Sequence, residues 1–136
     1  MSLKEGSVVK IIDPFTCLIV DDSEFARIHL MEIMMEIIGT GKIRFEMACG
    51  GQEAIELYQK FRPDLVMMDI VMPGIDGVET VERICQLDLK ARIIMVSSLS
   101  YREKVRQAIL AGAKNFIVKP IKAELLYRVV VDILTK

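Results

Sequence analysis

The chain has 136 residues, 52% of them hydrophobic and 27% charged, and its 18 Lys/Arg and 19 Asp/Glu leave a net charge of -1. That length suits one domain with a buried core, and the apolar content argues against disorder. There is no basic surplus of the kind that selects nucleic acid or an anionic membrane surface. The apolar runs are too short to span a bilayer and no charged-then-apolar signal segment opens the chain, so the expected location is the cytoplasm.

Residues 1–14 show little apolar periodicity and close on Asp13-Pro14. They read as an N-terminal extension, with Met1-Ser2-Leu3 open to a cloning origin; residues 15–136 read as the domain. From Phe15 onward strand and helix patterns alternate. Apolar strand candidates fall at 15–20, 43–48, 64–69, 91–96 and 115–118, and helical patterns at 24–38, 51–61, 77–87, 101–111 and 122–135. Strands separated by helices of this length imply βαβ units and a parallel sheet. Continuous rather than alternating apolar runs imply strands covered on both faces. Ser23 is placed to cap the first helix, and Gly39 and Gly41 to end it. Gly50-Gly51 breaks the chain before the second helix, Asp76-Gly77 opens the third and Gly112 closes the fourth.

Four of the apolar runs end on residues suited to phosphate chemistry. Cys17-Leu18-Ile19-Val20 leads into Asp21-Asp22, Leu65-Val66-Met67-Met68 into Asp69, Ile93-Ile94-Met95-Val96 into Ser97, and Phe116-Ile117-Val118 into Lys119-Pro120. In a parallel sheet all of them emerge at the carboxyl edge, where open α/β sheets bind ligands. Three carboxylates there repel one another unless a cation sits among them. Oxygen donors without Cys or His suit Mg²⁺. One acidic pair alone would read as a solvated loop; carboxylates at two strand ends read as a site. Asp69, closing a fully apolar strand, needs partners or a function, and a carboxylate can serve as a nucleophile that forms an acyl phosphate. Lys119 offers a compact positive charge, and Ser97 a hydroxyl donor.

The remaining reactive side chains carry less. Cys17, Cys49 and Cys85 show no zinc spacing, and the expectation is reduced thiols in the core. His29, the only histidine, falls inside the first helical pattern and reads as an ordinary helix residue.

Taken together, Leu18-Ile19-Val20-Asp21-Asp22-Ser23, the run from Met68 through Asp69, Met72-Pro73-Gly74 and Asp76 to Gly77, Ser97-Ser98, and the run from Gly112-Ala113-Lys114 to Lys119-Pro120 strongly resemble the response-regulator receiver domain. The resemblance covers residues 15–136. It implies a flavodoxin-like, doubly wound sheet of five parallel strands in the order 2-1-3-4-5. It also implies a phosphorylation-activated switch of two-component phosphorelays, which catalyses only its own phosphotransfer and autodephosphorylation and is no turnover enzyme. By resemblance Asp69 is the phosphoacceptor. Asp22 and Asp69 ligate Mg²⁺ by side chain and Val71 by its carbonyl, with Asp21 acting largely through water. Ser97 and Lys119 bind the phosphoryl group, Phe116 is the aromatic switch that turns inward, and Lys119-Pro120 is often cis. The implied donor is a phosphohistidine on a sensor histidine kinase or histidine phosphotransfer protein. The implied output is a protein target on the face built from helix 4, strand 5 and helix 5, with Arg102, Lys104, Arg106, Lys122 and Tyr127 on it. Dimerisation through the fourth and fifth helices stays open.

Some positions depart from the commonest pattern. Phe116 lacks the hydroxyl of the frequent Tyr, and Ser98 replaces a small apolar residue. Val71 and Leu99, two residues beyond Asp69 and Ser97, are apolar and cannot orient an attacking water, so a long-lived phosphoaspartate is expected. Three rivals remain. A phosphatase with an aspartyl-phosphate intermediate would carry Asp-x-Asp where this chain has Asp21-Asp22-Ser23. A pseudo-receiver would bind its partner without phosphorylation. The receiver could also be part of a larger regulator, such as a chemotaxis methylesterase or a transcription factor; no Gly-x-Ser-x-Gly esterase elbow is present.

Overall fold

The structure is a computed structural model and describes residues 15–39 and 43–135. Five strands, β1 (Phe15–Val20), β2 (Ile43–Ala48), β3 (Leu65–Asp69), β4 (Ile93–Ser97) and β5 (Asn115–Val118), alternate with α1 (Glu24–Ile38), α2 (Gly51–Phe61), α3 (Gly77–Leu87), α4 (Arg102–Ala111) and α5 (Ala123–Leu134). All strand pairs are parallel and the order is β2-β1-β3-β4-β5, as the resemblance implied. The N-terminal extension and Gly41 lie outside the described residues.

The continuous apolar runs sort by the two-residue period of a strand into two cores. Leu18, Val20, Val66, Met68, Ile93 and Met95 face one side and pack beneath α2, α3 and α4. Cys17, Ile19, Leu65, Met67, Ile94, Val96 and Ile117 face the other, beneath α1 and α5. Truncating a fully buried side chain such as Met68 to Ala would cost about 2–5 kcal/mol by lost burial plus the cavity left behind.

Local chemistry sets the helix ends. The Ser23 hydroxyl accepts the Ala26 N–H at 3.2 Å and Asp76 Oδ1 accepts the Glu79 N–H at 3.0 Å, so α1 and α3 both start on a side-chain cap. Gly112 follows α4 at φ 129°, which disfavours any side chain, and a Cβ there would strike the Cys85 sulfur. Gly77, at the first turn of α3, sits so close to the Asp69 carbonyl that a Cβ would collide with it.

Boundaries differ from expectation in four elements, and in the two strands hydrogen bonds give the reason. The third strand begins at Leu65, because Asp64 uses its carboxylate and its N–H to bind the Thr16 backbone, at 2.8 Å each. The fourth is Ile93–Ser97: Ala91 is held in a turn by its bond to the Asp88 carbonyl, and Ser97 pairs with Val118. The fourth helical stretch opens as a 3-10 turn over Leu99–Tyr101 before α4. Lys122 is the residue preceding α5, and Thr135 follows it.

The cysteines correct a second expectation. Only Cys17 is buried; Cys85 is half-buried and Cys49 is exposed, and all are free thiols. Burial and the neighbouring Asp64 charge push the Cys17 thiol far above its ordinary range, so it is inert.

Candidate functional site

The ends of β1, β3, β4 and β5 bring the residues of the sequence motifs to one edge. Asp21 follows β1 and is buried; its N–H donates to the Ala48 carbonyl at 3.1 Å and its Oδ1 accepts the Ser23 N–H at 2.9 Å. Asp22 beside it is exposed. Asp69 is the last residue of β3, and its Oδ1 accepts the Ile70 N–H at 2.9 Å. One carboxylate oxygen from each of Asp21, Asp22 and Asp69 lies within 4.8 Å of the others. The Lys119 ammonium is 3.6 Å from Asp21 Oδ2 and 3.9 Å from Asp69 Oδ1, and the Lys119–Pro120 peptide is cis.

This crowding has an electrostatic consequence. Burial, then the Asp21 charge, pushes the Asp69 carboxyl up to about 6, against the opposing pull of Lys119 and the Ile70 N–H. One lysine does not neutralise three carboxylates. The donor set fits a hard divalent cation: three carboxylates, no sulfur or imidazole, and a repulsion that such a cation would relieve.

Ser97 is buried at the end of β4, but its hydroxyl donates to the Ser98 carbonyl at 3.1 Å. Its own carbonyl accepts the Lys119 N–H at 2.8 Å, tying the β4 and β5 ends together. Phe116, on β5, is 46% exposed and borders a 380 Å³ cavity shared with Ser97, Leu99, Val105, Ile109 and Val118. Val71 and Leu99 are exposed. A second cavity, of 270 Å³, opens beside the carboxylates between Phe25, His29 and Pro120. His29 is exposed on α1 and stacks in parallel on Phe25, with ring centroids 6.1 Å apart.

Two contacts escaped the sequence reading. Arg27 Nη1 donates to the Asp21 carbonyl at 2.7 Å, and Lys104 Nζ lies 2.8 Å from Asp76 Oδ2. The available signal for Arg27 was an arginine one turn beyond the Ser23 cap, on a helix that starts against the acidic pair. For Lys104 there was none, because 28 residues separate it from Asp76.

The structure is thus a doubly wound parallel α/β domain that gathers an acidic triad and a lysine at the carboxyl edge of its sheet. The family description "Response regulator receiver domain" matches residues 17–131, and the chain belongs to that family. Receiver domains of this family are signalling modules of two-component systems rather than turnover enzymes. Among named relatives, the chain is 44% identical over 121 residues to the chemotaxis protein CheY of Halobacterium salinarum, covering 87% of this chain and 95% of that protein. It is 44% identical over 110 residues to CheY of Bacillus subtilis, covering 79% and 87%. It also superposes with a TM-score of 0.81 and 35% identity on a chain of the CheX-CheY-BeF3-Mg²⁺ complex from Borrelia burgdorferi, covering 91% and 92%. The chain is therefore a receiver domain of the CheY type. No helix among the described residues is long and apolar enough to cross a membrane.

Proposed function

We propose that residues 15–136 form one receiver domain, a cytoplasmic phosphorylation switch that takes its phosphoryl group on Asp69. The donor is a phosphohistidine on a sensor histidine kinase or histidine phosphotransfer protein. An Asp69 carboxylate oxygen attacks phosphorus in line, the N–P bond to the donor histidine breaks, and the imidazole nitrogen leaves with the bonding pair. The chain's residues serve that step by charge and position. Asp22 and Asp69, with the Val71 carbonyl, would hold Mg²⁺, and Asp21 would hold its water. The cation, when bound, neutralises charge on the attacking carboxylate and on the transferring group. Lys119 pairs with the phosphoryl oxygens as a point charge.

The same group drives the switch. The phosphoryl oxygens offer acceptors that the Ser97 hydroxyl reaches only by leaving the Ser98 carbonyl. The Lys119 N–H bond to Ser97 couples that movement to β5. Phe116 then turns from solvent into the neighbouring cavity. This differential contact shifts a pre-existing equilibrium, read by a protein partner on the α4–β5–α5 face. A partner of the CheX kind is compatible with the Borrelia complex.

The observation that carries the reading is the Asp69 carboxylate at the mouth of a buried strand, crowded by Asp21 and Asp22 and facing Lys119. Intact-mass analysis after incubation with acetyl phosphate and Mg²⁺ tests it. A metal-dependent phosphoryl adduct that Asp69→Asn abolishes is expected. Folded protein that takes no adduct from acetyl phosphate or from a phosphohistidine donor would leave the pseudo-receiver reading standing instead.

A further inference from the structure

We propose that Arg27 is a positioning residue for the divalent-cation site: it holds the Asp21–Asp22 peptide unit without touching the cation. This rests on reading the three carboxylates as that site. Arg27 is half-buried on the first turn and a half of α1, and its guanidinium donates to the Asp21 carbonyl at 2.7 Å. A bond from a charged donor at that length is among the stronger kinds in a protein.

The position of this bond gives it leverage. Every other polar group of Asp21 is already engaged: the N–H with Ala48, Oδ1 with the Ser23 N–H, Oδ2 with Lys119. The carbonyl is the remaining handle, and it belongs to the peptide unit that joins Asp21 to Asp22. Fixing the plane of that unit fixes the nitrogen and Cα from which the Asp22 side chain projects. Asp22 itself is exposed, and no hydrogen bond or ion pair of its own holds its carboxylate among the described residues. Without Arg27, the peptide plane and the Asp22 carboxylate both gain freedom that a cation must remove on binding.

Charge and position predict opposite outcomes. The guanidinium is a cation near a cation site, so its removal on electrostatic grounds alone would tighten divalent binding about two- to five-fold at moderate salt. Loss of an outer contact that orients a ligand weakens metal binding about ten-fold or more. Position outweighs charge at this site.

Calorimetric titration of Mg²⁺ into the full chain, at about 0.1 M salt, decides between them, with metal-free thermal unfolding run alongside. Arg27→Met should bind Mg²⁺ about ten-fold more weakly and melt at a somewhat lower temperature without metal; a merely structural residue would lower the melting temperature and leave the Mg²⁺ affinity of the folded protein unchanged. Arg27→Lys keeps the charge and should fall between the two. Equal or tighter Mg²⁺ binding by Arg27→Met overturns the inference. If that variant fails to fold, Arg27→Lys carries the test, and wild-type affinity or better in it overturns the inference. Wild type that binds no Mg²⁺ overturns the underlying site reading, a separate result visible before any variant is made.

Discussion

Lys104 on α4 reaches across to Asp76, the residue that caps α3, with its ammonium 2.8 Å from Asp76 Oδ2. Asp76 immediately precedes Gly77, whose backbone packs on the Asp69 carbonyl. The contact therefore joins the loop that follows the proposed phosphoacceptor to the first turn of a helix on the proposed output face. Burial works against the Asp76 charge, but the bonds from Lys104 and the Glu79 N–H outweigh it and hold the carboxyl below the usual range.

A depressed carboxyl stabilises the fold while it is ionised, and that stability is lost as pH falls through its folded value. Asp76→Asn should thus be less stable than wild type at neutral pH, with the gap closing below about pH 4, where the unfolded carboxyl protonates before the folded one does. Asp76→Ala, which loses the cap as well, should cost about 1 kcal/mol at pH 7. Lys104→Met should cost less, on the order of 0.5 kcal/mol, because the pair is partly solvated. Urea unfolding across pH measures all three; a gap that persists unchanged at pH 3 would contradict the assignment.

Asp69 has the opposite sign. Its raised value near 6 means that ionisation opposes folding in metal-free protein, so its contribution worsens as pH rises from about 4 through 6. Metal-free Asp69→Asn should be more stable than wild type at pH 8, by about 1–3 kcal/mol, and equal to it near pH 4. Mg²⁺ at saturating concentration should then stabilise wild type more than the variant. Thermal melts with chelator and with Mg²⁺ check this, and a variant less stable than wild type at pH 8 without metal would count against the crowding argument.

Val71 is 45% exposed and Leu99 64% exposed. By the receiver pattern both flank the phosphoryl group, and neither can hydrogen-bond a water. Replacing Val71 by Asn or Leu99 by Gln should shorten the phosphoaspartate lifetime several-fold, by analogy with the loss or gain of one water-positioning group. Decay of the phosphoryl adduct by intact mass, after removal of donor, gives the lifetimes. Wild-type decay as fast as that of the substituted forms would sink the idea.

Phe116 offers a direct view of the switch, because the chain has no tryptophan. Phe116→Trp places one indole on a half-exposed position beside the 380 Å³ cavity. Addition of Mg²⁺ with beryllofluoride, a phosphoryl mimic, should shift its emission to the blue as the ring leaves water. Emission that stays put while calorimetry shows the mimic bound would mean that this ring does not move.

The sheet, and the edge at which the candidate site residues gather, were legible in the chain's apolar pattern. Residues such as Leu18 and Ile19 are both buried although they are neighbours, because parallel strands are covered on two faces. Each such run can end usefully only where its chain leaves the sheet, so Asp21, Asp69, Ser97 and Lys119 were readable from their places after apolar runs, and the motif resemblance then ordered the strands. The pairing of polar groups between elements emerges with the folded arrangement alone. The turn of the Ser97 hydroxyl to Ser98, the reach of Arg27 to the Asp21 carbonyl and of Lys104 to Asp76, and the exposure of Cys49 depend on rotamers and on elements distant in sequence. Apolar burial follows a periodic pattern that a sequence displays, as does a local cap such as Ser23; a hydrogen bond between distant elements depends on the direction of one flexible side chain, which no local pattern encodes.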